Sequence, residues 1–521
     1  MKLILLIFIL IFIIPIFSIL FYLFPIDLEI WKHLNSTVLS TYIWNSMILC
    51  LSVGLITLLY GVSLAWLITF YQFPLKKFLE WAIILPFVFP SYILAYIYYS
   101  HKDKFIELNS YIAAIFIMSL SFYPYVYLFS RNAFAEISPN LINAARIFQK
   151  SELKTFWKII FPLSQPAIFS GTILVCIEVL GDFGTVDFFS IDTLATGIYR
   201  TWFGLGSIKG AIQISLTLFS IIALAIFIDQ YLKRKKKFYQ NQFLNAKKSA
   251  KKLNLIYSLL AIFYCTFPIL IAFVIPISIL LYNTFQIGFK NFDKEFFEII
   301  FRSFFISFSG AIICIILGFT FSYSSQIKLN KLINIFPKFI SLGYAIPGSI
   351  LSIIVLSNLK NLDEFILYLS MNIFKIENIN NIFTSSIIAL YFAYSIKFSA
   401  ISFNNSESAM KRVSPNLFWA SKILGYSNKN TAVKIYFPLV KSSLITSFIL
   451  IFLDILKELP ATMILRPFNF ETVAIKTYNL ASDERLKESS PYALIIVILG
   501  IFALYFITKF NIYRLKENKD E

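Results

Sequence analysis

Long apolar runs separated by short polar stretches divide the chain, and their lengths predict its elements before any single residue is considered. Runs of about 20 residues, enough to cross a hydrocarbon layer ~30 Å thick as helix, fall near 3–24, 42–70, 78–100, 110–131, 167–188 and 209–232. Comparable runs follow near 255–284, 299–325, 333–357, 382–404, 442–464 and 490–510. Strands of a membrane barrel would need only half that length. The first run, Leu3 to Phe24, exceeds the ~7–15 apolar residues of a signal-peptide core and no small-residue cleavage pattern follows it. It reads as a spanning helix entered from the cytoplasm. The expectation is an all-α polytopic membrane protein with about 12 transmembrane helices in two six-helix halves, 1–232 and 255–521, joined by a basic linker over 233–254.

The polar interruptions are as informative as the runs. Ile137 to Ala167 and Val413 to Ser443 are two copies of one amphipathic segment. Ser138-Pro139-Asn140-Leu141 matches Ser414-Pro415-Asn416-Leu417, Ala144 matches Ala420, Ile159 matches Ile435, and Phe161-Pro162-Leu163 matches Phe437-Pro438-Leu439, all 276 positions apart. Such a repeat is read before local structure. Pro139 and Pro415 suit the first turn of a helix, where a missing N–H costs little, and Gly425 suits a helix stop. A second helical piece is expected to run to Phe161-Pro162 and Phe437-Pro438, where proline forbids simple continuation. Each copy is therefore expected to form helix, turn, helix outside the membrane. Weaker echoes lie 257 positions apart: Asn45-Ser46 with Arg302-Ser303, Gly61 with Gly318, Pro90 with Pro347. The two spacings differ by 19 residues, which places an insertion after Pro347, in the external stretch Leu359 to Asn380.

Composition agrees. With 58% hydrophobic and 14% charged residues and a mean hydropathy of +0.75, the chain is too apolar for a soluble protein of 521 residues. Its net charge of +18 is not spread as a nucleic-acid face would be. Basic residues gather in alternate loops: Lys76-Lys77, both loop copies, the cluster from Lys233 to Lys252, and the tail with Lys509, Arg514, Lys516 and Lys519. By the positive-inside rule these are cytoplasmic, as are both termini. Six spans per half return each half to its starting side, so the halves are parallel repeats and both loop copies share one face. Cys50, Cys176, Cys265 and Cys314 lie in apolar runs without CxxC spacing, and His33 and His101 sit in external loops. Neither disulfide nor zinc chemistry is suggested.

Charges inside spanning helices are costly and point to function. The fifth span of the first half holds Glu178 and Asp182; 276 positions on stand Asp454 and Glu458, with Lys457 beside them. Spacing i, i+4 would put each pair on one helical face, past the bilayer middle toward the outside. Four such acids could line one translocation pathway; equally, they could hold helices together, Lys457 pairing with Glu458 or with an acid across the axis. Carboxylates suit a hard cation, though any cation would serve. No phosphate-binding G-x-x-x-x-G-K-[ST] loop occurs, so ATP and Mg would be used by a partner ATPase. No residue suggests covalent catalysis, and no metal ligand is assigned.

The loop copies resemble the cytoplasmic loop of permease subunits of binding-protein-dependent ABC importers. That pattern is Glu-Ala-Ala, three residues, Gly, nine residues, Ile, one residue, Leu-Pro. Here it reads Asn143-Ala144-Ala145, Gln149, Ile159, Pro162 in one copy and Trp419-Ala420-Ser421, Gly425, Ile435, Pro438 in the other. The leading Glu and the first Gly are replaced. Gly181-Asp182-Phe183-Gly184-Thr185 and Asp192 to Gly204, with Asp454 to Thr462, Leu465-Arg466-Pro467-Phe468 and Leu480 to Arg485, look like the fused two-repeat permeases of ferric-iron importers. That resemblance implies the type I importer (MetI-like) permease fold in a bacterial inner membrane. It implies Fe(III) received from a periplasmic binding protein, two copies of an ABC ATPase docked at the loops, no cofactor bound by this chain and no second permease chain. Permeases for thiamine or another small cationic or organic solute look similar. An ion-coupled secondary transporter of 6+6 design is the rival of another class.

Overall fold

The computed structural model describes Pro15, Ser18 and residues 28–100, 109–138, 151–234, 250–288, 292–327, 340, 343–374, 382–384, 386–411 and 413–520. In chain order the first repeat contains α1 (Leu28–Thr37), α2 (Leu39–Phe70), β1 (Tyr71–Gln72), α3 (Lys76–Ala82), α4 (Ser91–Tyr99), α5 (Ser110–Glu136) and α6 (Glu152–Gly181). Then come α7 (Gly184–Phe188), α8 (Leu194–Tyr199), α9 (Ile208–Arg234) and, within the linker, β2 (Lys251–Lys252). The second contains α10 (Leu255–Ile287), α11 (Lys294–Gln326), α12 (Gly348–Leu369), α13 (Ile387–Met410), α14 (Pro415–Ile423), α15 (Asn428–Leu456), α16 (Pro460–Leu465), α17 (Val473–Ser482) and α18 (Leu486–Asp520).

Among the described residues the fold is all-α apart from one parallel pairing of β1 with β2. Among the described residues nine helices are long and apolar enough to cross a membrane, or ten if the bent pair Lys76–Val88 and Ser91–Tyr99 counts as one span. Of the expected span near 3–24 only Pro15 and Ser18 are described, and residues 333–339, 341 and 342 of the one near 333–357 lie outside the described residues. Two expectations change. The run at 78–100 is not one rod but turns by 82°, because Pro90 cannot continue the preceding helix and forces Phe89 into an extended conformation. The runs at 167–188 and 442–464 stop early, at Gly181 and Leu456.

Two compact units divide the chain differently from the repeats. One is made of Asn35–Gly197 and Thr217–Asn283; the other holds the described parts of Met1–Leu34, Ile198–Leu216 and Thr284–Glu521. Within the first unit α2 crosses α5 so closely that a methyl on Gly61 would lie 2.9 Å from the Tyr127 nitrogen. Within the second, α11 crosses α13 and a methyl on Gly318 would lie 2.6 Å from the Phe403 nitrogen. The glycines are 257 positions apart and their partners 276, so the same crossing is built twice with 19 residues added between.

Those extra residues lie around α12, which has 22 residues where α4 has nine. Its extension is anchored by Asp363, buried at 3% exposure. The carboxylate accepts the backbone N–H of Ile382 (3.1 Å), Phe383 (3.0 Å) and Thr384 (2.9 Å) and the Thr384 hydroxyl (2.8 Å). Burial alone would raise the Asp363 pKa, but these donors outweigh it and hold the group below the usual aspartate range. Because the folded value is depressed, this contribution is complete above the ordinary aspartate value of ~3.9. It is lost as the pH falls through the lower folded value. Asp363→Ala should leave the donors unpaired, at about 1–3 kcal/mol each where they stay dry, and speed protease cleavage between α12 and α13. Unchanged cleavage rates at neutral pH would remove the anchor role.

Candidate functional site

Proline ends a helix from one side and begins one from the other, and both repeats use it within the third span. Pro90 (φ −56, ψ 141) and Pro347 (φ −54, ψ 144) are extended, which makes Ser91 and Gly348 the first residues of α4 and α12. The fifth span breaks as well. After Gly181 the chain is extended at Asp182 (φ −68, ψ 125) and re-forms as α7; after Leu456, Lys457 and Glu458 precede α16.

A helix that restarts inside a low-dielectric layer exposes N–H groups that water cannot satisfy. The acid at each break supplies the acceptor. Asp182 accepts from the Thr185 N–H (2.8 Å), the Thr185 hydroxyl (3.1 Å) and the Ser91 hydroxyl (2.5 Å), joining the starts of α7 and α4. Glu458 accepts from the Ala461 N–H (3.4 Å), 276 positions on from Thr185, and from Lys397 Nζ (2.8 Å) on α13. The longer side chain is matched by a smaller neighbour. Gly348 stands where the first repeat has Ser91, and a methyl there would come within 2.3 Å of Glu458 Oε1. The chain just beyond is held alike in both repeats: Ser46 accepts the Leu194 N–H (3.0 Å) and Ser303 the Val473 N–H (2.7 Å), which gives the Ser46 and Ser303 echo its meaning.

The four acids thus divide into two kinds. Glu178, half-buried on α6, and Asp454, buried on α15, are helical. Asp182 and Glu458 lie past the helix ends, so the expectation of one helical face for each i, i+4 pair is overturned. Of the two partners expected for Lys457, Glu458 or an acid across the axis, Glu458 is taken by Lys397 instead, and Lys457 Nζ lies 3.0 Å from Asp454 Oδ1. In the first repeat the positions aligned with these lysines are Ser121 and Gly181. Among the described residues Asp182 forms no ion pair. Lys397 was missed in the sequence although a lysine within an apolar run is the same costly-charge signal that exposed the acids. His33 is exposed, His101 lies outside the described residues, and among the described residues no three His, Cys, Asp or Glu side chains gather as a metal site.

In the second loop copy α14, a turn and the start of α15 form as expected. Gly425, at φ +75, closes the turn. The Tyr426 N–H reaches the Ser421 carbonyl and the Gly425 N–H the Lys422 carbonyl, each at 3.0 Å, the Schellman arrangement that suits glycine. Ser421 is buried and shares a hydrogen bond with Thr431 (3.0 Å), fixing the two loop helices together, while Trp419, Ile423 and Leu424 remain exposed. Ala420 and Pro438 are exposed too and Ile435 is half-buried. Beneath the loop, Tyr323, Met410, Ala432, Tyr436 and Val440 form its core. In the first copy Asn143, Ala144, Ala145 and Gln149 lie outside the described residues; Ile159 and Pro162 are half-buried on α6.

The expectation that proline ends the second loop helix is overturned in both copies. α6 runs through Pro162 and α15 through Pro438. Each is preceded by a π-helical turn, Phe156–Ile160 and Ala432–Tyr436, in which the Phe161 and Phe437 N–H groups bond carbonyls five residues back, Phe156 and Ala432. The wider turn moves aside the carbonyl that a proline ring would strike.

Residues 57–238 match the family described as binding-protein-dependent transport system inner membrane component. Over 473 residues, 89% of this chain and 89% of the relative, the chain is 23% identical to an Fe(3+)-transport system permease protein of Haemophilus influenzae. It is 27% identical over 235 residues to the spermidine/putrescine transport system permease protein PotB of the same organism, covering 40% of this chain and 80% of the relative. To the molybdenum transport system permease protein ModB of Escherichia coli it is 25% identical over 214 residues, 37% of this chain and 93% of the relative.

Substitutions in the second repeat test these contacts. Lys397→Met should destabilise the purified protein by ~3–5 kcal/mol, the cost of a buried charge left alone, and adding Glu458→Gln should recover most of it in denaturant unfolding. Gly348→Ser should disrupt the second break, and combining it with Glu458→Asp, which copies the first repeat, should restore it; equal stability of the single and double variants would refute the size match.

Proposed function

We propose that ferric iron is the cargo of this chain, which is an inner-membrane permease of an ABC-type, binding-protein-dependent importer. The observation that carries the reading is the similarity to an Fe(3+)-transport permease along 89% of both chains, a length that takes in both repeats. Chemistry supports it: Glu178, Asp182, Asp454 and Glu458 offer hard oxygen atoms of the kind a small trivalent cation prefers. Helices interrupted inside a membrane are where transporters admit their solutes. In this reading the acids line the cation's path, with Asp182 at one break and Glu458 at the other.

A periplasmic binding protein delivers the cargo, and two ATPase copies grip the two loop copies on the cytoplasmic side, where both termini also lie. One chain supplies both repeats, so no second permease chain is needed. The importer similarity displaces the ion-coupled transporter reading. A cationic organic solute is the second reading for cargo, favoured by the likeness to the spermidine/putrescine permease; thiamine belongs to the same group.

Uptake of labelled ferric iron, spermidine and thiamine by a deletion strain separates these readings. Iron uptake should fall and the other two persist; loss of spermidine or thiamine uptake with iron uptake intact overturns the iron assignment. Asp182→Asn keeps a competent helix cap, since asparagine accepts the same N–H, while removing the charge. It should lower transport roughly tenfold or more, equivalent to ~1.4 kcal/mol, with the complex still assembled, and wild-type transport would reduce Asp182 to a cap. Gly425→Val forces a branched side chain into the left-handed region at ~1–2 kcal/mol. Membrane insertion should survive and ATPase co-purification should not; normal co-purification would show that the turn tolerates strain.

A further inference from the structure

The linker between the repeats ends in an unexpected place. Tyr71 and Gln72 pair in parallel with Lys251 and Lys252, and the Leu253 N–H bonds the Gln72 carbonyl at 3.0 Å. Beside this pairing stands Glu152, the first residue of α6 and part of the first loop copy. Its Oε1 lies 2.8 Å from Lys251 Nζ, and its Oε2 accepts the Tyr71 hydroxyl. Three segments distant in sequence thus meet on one carboxylate: the chain leaving α2, the loop helix and the last residues of the connector.

The corresponding residue of the second repeat is held as well. The residue 276 positions after Glu152 is Asn428, the first residue of α15. It too is held by a tyrosine and a lysine. Tyr323, near the end of α11, donates to the Asn428 carbonyl at 2.9 Å, and Lys422 Nζ donates to Asn428 Oδ1 and, at 3.1 Å, to the Tyr426 carbonyl. Lys422 belongs to the loop copy itself, six residues before its partner. Lys251 lies 99 residues away, in the connector. Among the described residues, Asn428 is held by a lysine of its own loop copy and Glu152 by a lysine of the linker.

We propose that Glu152 is a positioning residue for energy coupling: through Lys251 the connector's last residues hold the start of α6 in the orientation that an ATPase grips. The proposal rests on the reading of the loop copies as ATPase contacts. It gives the linker a role beyond solvated connection and makes the coupling of the first repeat depend on the chain that joins it to the second. The start of a helix also favours a carboxylate electrostatically, so removing Glu152 loosens both the pairing and the first turn.

The test uses the full complex in proteoliposomes, with ATPase and binding protein, and measures ATP hydrolysed per ferric ion imported. Glu152→Gln and Lys251→Met should each raise that ratio about two- to fivefold, the range open to a partly exposed ion pair, with assembly retained. The exchanged pair, Glu152→Lys with Lys251→Glu, should return it toward the wild-type value, and Lys252→Met should leave it unchanged. Wild-type ratios in both single variants, or an exchanged pair as poor as either single, overturn the proposal. A wild-type complex whose hydrolysis does not respond to loaded binding protein would instead overturn the importer reading beneath it.

Discussion

A helix that restarts inside a membrane leaves N–H groups facing a medium that offers no water, and among the described residues this chain meets that constraint four times, at the third and fifth spans of each repeat. Proline relieves part of it in the third span, since its own missing N–H needs no partner. A carboxylate relieves it in the fifth, where Asp182 and Glu458 accept the N–H three residues ahead. The same acids reach the neighbouring break, Asp182 through Ser91 and Glu458 against Gly348. Each acid is therefore first a condition for the broken helices to exist, and any role toward a cation is built on groups the fold already requires.

The repeats solve the problem with different charge. Beside Asp454 and Glu458 the second repeat carries Lys457 and Lys397, so its acids come with their own cations. The first repeat has Gly181 and Ser121 at those positions and answers Asp182 with hydroxyls and a backbone N–H. A buried ion pair repays its desolvation only with good geometry and further hydrogen bonds, which Glu458 obtains from Lys397 and Ala461 together.

Loop and break are ends of the same rod. α6 runs 30 residues from Glu152 to Gly181 and α15 29 residues from Asn428 to Leu456, each roughly 45 Å long at 1.5 Å per residue. The π-helical turns before Pro162 and Pro438 make this continuity possible where a sharp kink would have separated the loop from the membrane segment. A displacement imposed at Glu152 or Asn428 is thus applied to a helix whose other end is Asp182 or the Lys457-Glu458 break.

Much of this was legible in the residues. Apolar run length gave the all-α membrane class, because the hydrocarbon thickness sets it. The two spacings of 276 and 257 placed the loop copies, the paired acids and the insertion, because a repeat keeps its register wherever nothing is inserted. What tertiary structure alone decided was which groups meet. Whether Pro438 ends a helix depended on a π turn that no local pattern announces; whether Glu458 pairs with Lys457 or Lys397 depended on α13 lying against the break. The grip of Lys251 on Glu152, 99 residues away, depended on a strand pairing two residues long. Periodicity and composition are properties of neighbours along the chain, whereas the partner of a buried charge is chosen by packing, and packing is settled only once the helices have been placed.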